Sequence, residues 1–373
     1  MASTYQIWVN GEPADADLYA NLSSLEVEEN LDLPGAIQLQ FPVSRTEQAD
    51  LTFVCDTRLK PYANLAVVVA VEDQTPECIF DGYVLSHKLH LQRGIVSSTL
   101  QVWGQDASWL MNQEENAREW VDVTDSDVAN RIFGEYGFDS APDNTEDDSP
   151  AHTEDGYSLM QRGSDGQFLK RLARANGKFF RVFCADKPGK RTGYFAKPNL
   201  DGDAVLNISL NDPDHWVVET LDFDWDVMRP SAVKAGQALF TDAEGASVET
   251  GDSGLAPLAE RGLADFAGTP MTVILTTPVD DAGELSLRAQ ALLRDAGWFV
   301  RCEGESDLSR MKKVLRTGNV VQVEGVGALH TGKYLVWSVR HTIGADVHKM
   351  KFVLMRNAVG PEPTGNGLLG DLP

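Results

Sequence analysis

Positive charge is scarce in this sequence. Its 373 residues include 32 Lys+Arg against 56 Asp+Glu, a formal net charge of −24. Such a surface repels phosphate backbones and anionic lipid, which excludes nucleic-acid binding as the principal task. Cysteine is scarce too. Cys55, Cys78, Cys184 and Cys302 lie far apart with no Cys-x-x-Cys spacing. That argues against a zinc site or a disulfide framework and predicts buried free thiols. No run approaches the roughly 18 apolar residues of a membrane-spanning helix. The opening MASTYQIWVNG has no basic n-region and no apolar core. No secretory signal and no membrane insertion are expected, and synthesis in a cytoplasm is.

What is present is an ordinary globular composition, 42% hydrophobic and 24% charged, which excludes wholesale disorder. The length accommodates about two or three domains. Charge is uneven: net −9 over residues 1–100, −5 over 101–200, −13 over 201–300 and +3 over 301–373. The basic residues of the last stretch are dispersed over strand-like sequence, as on a solvated face.

The first hundred residues read as β. Tyr5 to Val9 alternates and Asn10-Gly11 makes a turn. Leu25 to Glu29 and Ala36 to Phe41 alternate again, and Ala66 to Val71 is a continuous apolar run. Ile79 to Leu85 and Ser97 to Trp103 follow. Short strands at this spacing predict an antiparallel barrel or sandwich. Gly82, inside a strand, marks a bulge or a tight bend.

The middle is mixed. Thr124 or Asp125 can cap a helix carrying Val128, Ile132, Phe133 and Tyr136, with Gly137 as its stop. Asp139 to Asp155 reads as a solvated loop. In SDGQFLKRLARANG, Ser164 and Gln167 form a capping box. Phe168, Leu169, Leu172 and Ala175 form its apolar stripe, and Gly177 ends it. Phe179 to Phe183 and Gly193 to Ala196 form a hairpin.

Strands return near residue 205. Leu221, Phe223, Trp225 and Val227 alternate with Asp222, Asp224 and Asp226, which places three carboxylates on one face. Residues 242–268 read as a long surface loop and Glu284 to Ala296 as an amphipathic helix. Asn319 to Glu324, Lys333 to His341 and Lys351 to Met355 are strands, and Gly360 to Pro373 is a mobile tail.

The segments that resemble chemistry have plainer readings. GALHTGKY (Gly327–Tyr334) matches G-x-x-x-x-G-K but continues into a strand rather than a helix, so it reads as a hairpin turn. GDSG (Gly251–Gly254) has no partner histidine segment. His87 and His90, three apart on a strand, point to opposite faces and cannot readily share a metal. His215, His330, His341 and His348 are scattered structural or surface residues. Along a straight strand the Asp222/Asp224/Asp226 carboxylates stand about 6.6–6.8 Å apart per pair, too far for one calcium. They are a candidate lumen or partner face. No catalytic residue, metal or cofactor is expected, and the chain reads as a structural or interaction protein.

In order along the chain, FDGYVLSHKLHL (Phe80–Leu91), LQVWGQDASWLMNQ (Leu100–Gln113) and Asp125–Gly137 lead to SDGQFLKRLARANGKFF (Ser164–Phe180). TGKYLVWSVRHTI (Thr331–Ile343) and MKFVLMRNA (Met350–Ala358) close the set. Together they resemble the phage late-control D family and the hub part of type VI valine-glycine-repeat spike proteins. The resemblance implies a β-rich α+β fold. Two antiparallel tube-like β-barrel domains, residues 1–105 and 205–359, would flank an α+β insert at 106–204, with 360–373 as a flexible tail.

It also implies a non-enzymatic baseplate hub of a phage tail or injection particle. This would be a homotrimer with pseudo-sixfold symmetry, adapting a hexameric tail tube to a trimeric spike. Its expected partners are a tail tube protein, a spike protein and baseplate wedge components. The sequence ends at residue 373, without an oligonucleotide-fold domain or a β-helical needle, so the spike is expected on a separate polypeptide. A secreted carbohydrate- or wall-acting hydrolase, or a β-barrel binding module, are the competing classes.

Overall fold

The computed structural model describes residues 4–47, 50–93, 97–145, 149, 151–154, 158–210, 216–238, 245–279, 282–344 and 347–362. His215 and most of the 360–373 tail lie outside them. No helix among the described residues is long and apolar enough to cross a membrane.

The N-terminal part contains β1 (Thr4–Val9), β2 (Glu12–Pro13), α1 (Ala16–Asn21), β3 (Ser24–Asn30), β4 (Ala36–Pro42), β5 (Asn64–Ala70), β6 (Glu77–His90) and β7 (Thr99–Asp106). Alternation sets the burial: Leu25 and Val27 in β3, Ile37, Leu39 and Phe41 in β4, and Leu100 and Val102 in β7 all face the core. Asn10 and Gly11 both have positive φ and link β1 to β2 as a two-residue turn. Gly82 is needed for close approach. A Cβ there would meet the Gln105 carbonyl oxygen at 2.0 Å and the Asp106 Cα at 2.7 Å. The bulges of β6 flank Gly82 rather than fall on it, since register shifts leave Ile79 and Leu85 unpaired.

The insert contains β8 (Glu115–Trp120), α2 (Asp125–Glu135), β9 (Asp139–Ser140), β10 (Leu159–Ser164), α3 (Asp165–Ala175), β11 (Phe179–Cys184) and β12 (Arg191–Ala196). Thr124 caps α2 in a reciprocal box with Asp127, and the Ser164 hydroxyl caps α3 by accepting from the Gln167 N–H. Val128, Ile132 and Phe133 of α2 pack on Phe168, Leu169 and Leu172 of α3 over Phe195. Ala175 is exposed, and Ala173 completes the α3 stripe instead. The 139–155 segment is not simply a solvated loop. Asn144 donates to the Gly193 carbonyl at 3.0 Å and accepts from the Phe195 N–H at 2.7 Å, which straps it to β12.

The C-terminal part contains β13 (Asn207–Ser209), β14 (Leu221–Trp225), β15 (Ala232–Ala238), β16 (Gly245–Thr250), β17 (Arg261–Gly262), α4 (Leu263–Ala267), β18 (Thr272–Leu275), α5 (Ala282–Ala296) and β19 (Val300–Asp307). It ends with α6 (Leu308–Met311), β20 (Val320–Glu324), β21 (Gly332–Ile343), β22 (His348–Arg356) and β23 (Ala358–Val359). The expected surface loop at 242–268 is therefore corrected. Gly245–Thr250 forms a hairpin with β15, β17 pairs with β23, and Leu258, Ala259 and Leu263 are buried. The small and acidic residues there disguised short strands that tertiary pairing holds. GALHTGKY is the turn between antiparallel β20 and β21, as read from the sequence.

Both ends of the chain share one 13-stranded sheet, in the order β14-β19-β22-β21-β3-β4-β7-β6-β5-β1-β2, with β20 and β13 branching from β21. The order repeats. In the N-terminal part it is β5-β6-β7-β4-β3, and in the C-terminal part β20-β21-β22-β19-β14. Each member of the second set follows its counterpart in chain order. The extra residue Leu85 between Val84 and Ser86 has its equivalent in Trp337 between Val336 and Ser338. Matching the ladders strand by strand aligns LEVEEN (Leu25–Asn30) with LDFDWD (Leu221–Asp226). The same matching aligns Ser86–Leu91 with Ser338–Ile343.

Gly82→Val should cost at least about 2 kcal/mol, because the clash is with backbone on a paired strand. Gly134→Ala, in α2 with nothing within 4 Å of a new Cβ, should instead gain up to about 1 kcal/mol. Urea unfolding of the two variants checks both signs.

Candidate assembly interface

The two repeats meet edge to edge. β3 pairs antiparallel with the outer half of β21, from Ser338 opposite Asn30 to Ile343 opposite Leu25. The pleat sorts this junction into two faces. On one, Arg340 forms an ion pair with Glu28, Nη2 to Oε2 2.7 Å. On the other, Leu25, Val27, Glu29, His341 and Ile343 are buried.

Glu29 is a buried carboxylate and Arg316 answers it, with Nη2 at 2.7 Å from Oε1 and Nε at 2.8 Å from Oε2. The same guanidinium reaches Glu77 at 3.2 Å and the Cys184 carbonyl at 2.9 Å. It thus ties the two repeats to the insert. Burial alone would raise the Glu29 pKa, but the Arg316 charge and the hydrogen bonds it receives hold it at about 2. His341 lies 3.8 Å from Glu29, and its Nδ1 is 3.0 Å from Nε2 of His348. Burial, with His341 adjacent, lowers the His348 pKa to about 3.

Further ion pairs hold the insert to the sheet. Arg191 of β12 meets Asp81 of β6 at 2.8 Å, and Arg174 of α3 meets Asp32 at 3.2 Å. In the insert, His152 Nε2 is 2.7 Å from Asp125 Oδ1, and Asn176 donates to Asp125 Oδ2 at 2.6 Å. This joins the start of α2 to the end of α3. A cleft lined by Asp32, Arg171, Arg174, Glu284, Arg288 and Asp295 runs between α3 and α5.

The sequence-predicted residues lie elsewhere. Asp222 and Asp224 are exposed on β14, an edge strand that among the described residues pairs only with β19, and exposed Asp226 follows directly after it. Asp224 faces Arg301 across the ladder, and Asp226 accepts from the Met228 N–H at 2.9 Å. Among the described residues, no group of three or more His, Cys, Asp or Glu side chains could hold a metal ion. His87 and His90 are exposed on the outer end of β6, whose pairing to β5 stops at Tyr83. His341 and His348 are not scattered but adjacent, because they stand seven positions apart on the two strands that flank the β21–β22 turn. Cys78, Cys184 and Cys302 are buried as expected, whereas Cys55 is exposed. Glu29, Arg316 and His152 gave no sequence signal: a lone charged residue on an alternating strand, as Glu29 is, or in a connecting segment, as Arg316 and His152 are, looks like any solvated one.

A family model described as the Alg8 N-terminal domain matches residues 1–345. No curated protein sequence matches the chain. Among solved structures, the 43 kDa tail protein of prophage MuSo2 from Shewanella oneidensis is similar with a TM-score of 0.67 at 14% identity. That match covers 96% of this chain and 100% of the other. A tail protein from Neisseria meningitidis MC58 gives 0.67 at 13% identity, covering 96% and 97%. An Escherichia coli component of the type VI secretion system, itself structurally similar to T4 bacteriophage tail proteins gp27 and gp5, gives 0.56 at 14% identity, covering 96% and 79%. At these identities the likeness is one of fold, and over nearly its whole length the chain has the fold of phage tail proteins.

Acid should weaken the junction. Folded His348 resists protonation, so its contribution is intact above the ordinary value of 6.5 and is lost as pH falls from 6.5 towards 3. Glu29 adds a second loss from 4.5 towards 2. Buried Asp106, pushed up to about 6, acts in the opposite direction as pH falls through 6, so the junction is read by difference: the parent should lose more thermal stability than His348→Leu as pH falls below 6.5, with a shallower slope in the variant. An unchanged slope would clear the histidine. Arg316→Met, which leaves Glu29 buried without its guanidinium, should cost about 3–5 kcal/mol, and adding Glu29→Gln should recover most of it.

Proposed function

The chain belongs to the Alg8 N-terminal domain family, and we propose that it is the structural baseplate hub, of late-control D type, of a contractile phage tail or tail-like injection particle. The observation that carries this reading is the duplicated strand order, with its two repeats joined through β3 and β21 in a single sheet. A protomer built from two quasi-equivalent units can present six such units from three copies. A threefold ring of them meets sixfold symmetry on one side and threefold symmetry on the other.

In this reading residues 1–105 and 205–359 are the two tube-like barrel domains and 106–204 the insert between them. The homotrimer adapts the hexameric tail tube to a trimeric spike, with wedge components outside. The hub works by placement and does no catalysis. The fold likeness to two phage tail proteins over 96% of this chain supports the role. Asp222, Asp224 and Asp226 belong to its channel or partner surface. The −24 charge keeps polyanionic cargo from adhering to the walls.

The chain, tagged and co-expressed with the tube and spike proteins of its own particle, should retain both through affinity purification and gel filtration. A chain that retains neither, and stays a lone subunit, contradicts the hub role.

A further inference from the structure

The repeat leaves one junction unmade inside the protomer. β21 spends its outer half, Ser338–Ile343, on β3. Its counterpart, Ser86–His90 of β6 and the following Leu91, is exposed throughout, and among the described residues the strand has a partner there only on the β7 side. The counterpart of β3 is β14, which among the described residues pairs only with β19. Each protomer therefore carries two open edges that are the two halves of a junction it has already built once. They lie on different parts of the chain, so they cannot be a self-complementary patch. They fit head to tail.

Resting on the hub reading, we propose that β6 of one copy pairs antiparallel with β14 of the next, in the register of the internal β21–β3 junction. Transferring that register places Lys88 opposite Asp224, as Arg340 stands opposite Glu28. His90 falls opposite Asp222, as Thr342 does opposite Glu26, and Ser86 opposite Asp226, as Ser338 does opposite Asn30. The other face receives Leu89 opposite Phe223 and Leu91 opposite Leu221, with His87 beside Trp225.

The chemistry agrees on both faces. Residues 82–105 contain no Asp or Glu, in a chain with 56 of them, and carry Lys88 and Arg93. β14 and its approach carry Glu219, Asp222, Asp224 and Asp226. Leu89, Leu91 and Trp225 are 39%, 55% and 53% exposed. Their internal equivalents His341, Ile343 and Glu29 are all buried. Apolar residues and unpaired strand edges of this kind are normally covered. Here the pleat puts leucine against aromatic ring and cation against carboxylate in one register, and a one-residue slip would lose both matches. Three such contacts alternating with three internal junctions close a ring. The occupant of each edge is thus a second copy of this chain.

The test is crosslinking in the complex with tube and spike, in a Cys55→Ser, Cys302→Ala background, since Phe223 stands opposite Cys302 in the β14–β19 ladder. Leu89→Cys combined with Phe223→Cys should give disulfide-linked dimers and trimers on non-reducing gels. Leu89→Cys with Asp224→Cys, whose side chains would lie on opposite faces, should not. Lys88→Glu should raise the concentration needed for half-assembly by about tenfold, and adding Asp224→Lys should reverse much of that. A complex that retains tube and spike but gives no Leu89–Phe223 crosslink overturns this pairing and leaves the hub reading standing. So does a Lys88→Glu variant that assembles like the parent. A chain that retains neither partner overturns the hub reading itself.

Discussion

The pairing of β3 with β21 is the constraint on which this molecule depends. It joins strands from opposite ends of the chain, and its Glu29–Arg316 hydrogen bonds span 287 residues of sequence. A buried carboxylate is tolerable only with a partner, and Arg316 is held by the turn before β20 to serve as one. Because the same guanidinium reaches Glu77 and the Cys184 carbonyl, one side chain fixes the two repeats and the insert against each other.

A duplicated unit explains why such a junction recurs in form. Once an edge has been shaped to accept the end of a β6-like strand, copying the unit copies both the edge and the strand. Chain connectivity satisfies one pair and leaves the other exposed. The alternation L-E-V-E-E-N against L-D-F-D-W-D preserves the pleat while Glu29 becomes Trp225. The internal edge can then bury a charge with Arg316 beside it, whereas the outer edge offers an aromatic surface. Leu85 and Trp337, unpaired at matching places, bend the two long strands alike.

Much of the local structure was legible in the residues. Thr124, Ser164 and the glycines after α2, α3 and α5 set those helix ends, because capping is decided within a few residues of chain. Strict alternation placed β3, β4, β7 and β14. The 242–268 region was misread because its strands are short, glycine-rich and held by partners distant in sequence. Ala175 was misplaced by one helical position relative to Ala173, a shift that only the packed neighbours decide. The repeat itself was hidden: the two motifs share a pattern of acid and apolar residues but few identities, and only the matched ladders align them. His341 and His348 looked scattered because a hairpin, not a spacing motif, brings them together.

The most direct test is a reconstruction of the intact particle tip. The account predicts a threefold collar of this chain on the particle axis, between tube and spike, with six quasi-equivalent sheet units around the channel. A chain lying off the axis, or present as one copy per tip, would contradict it.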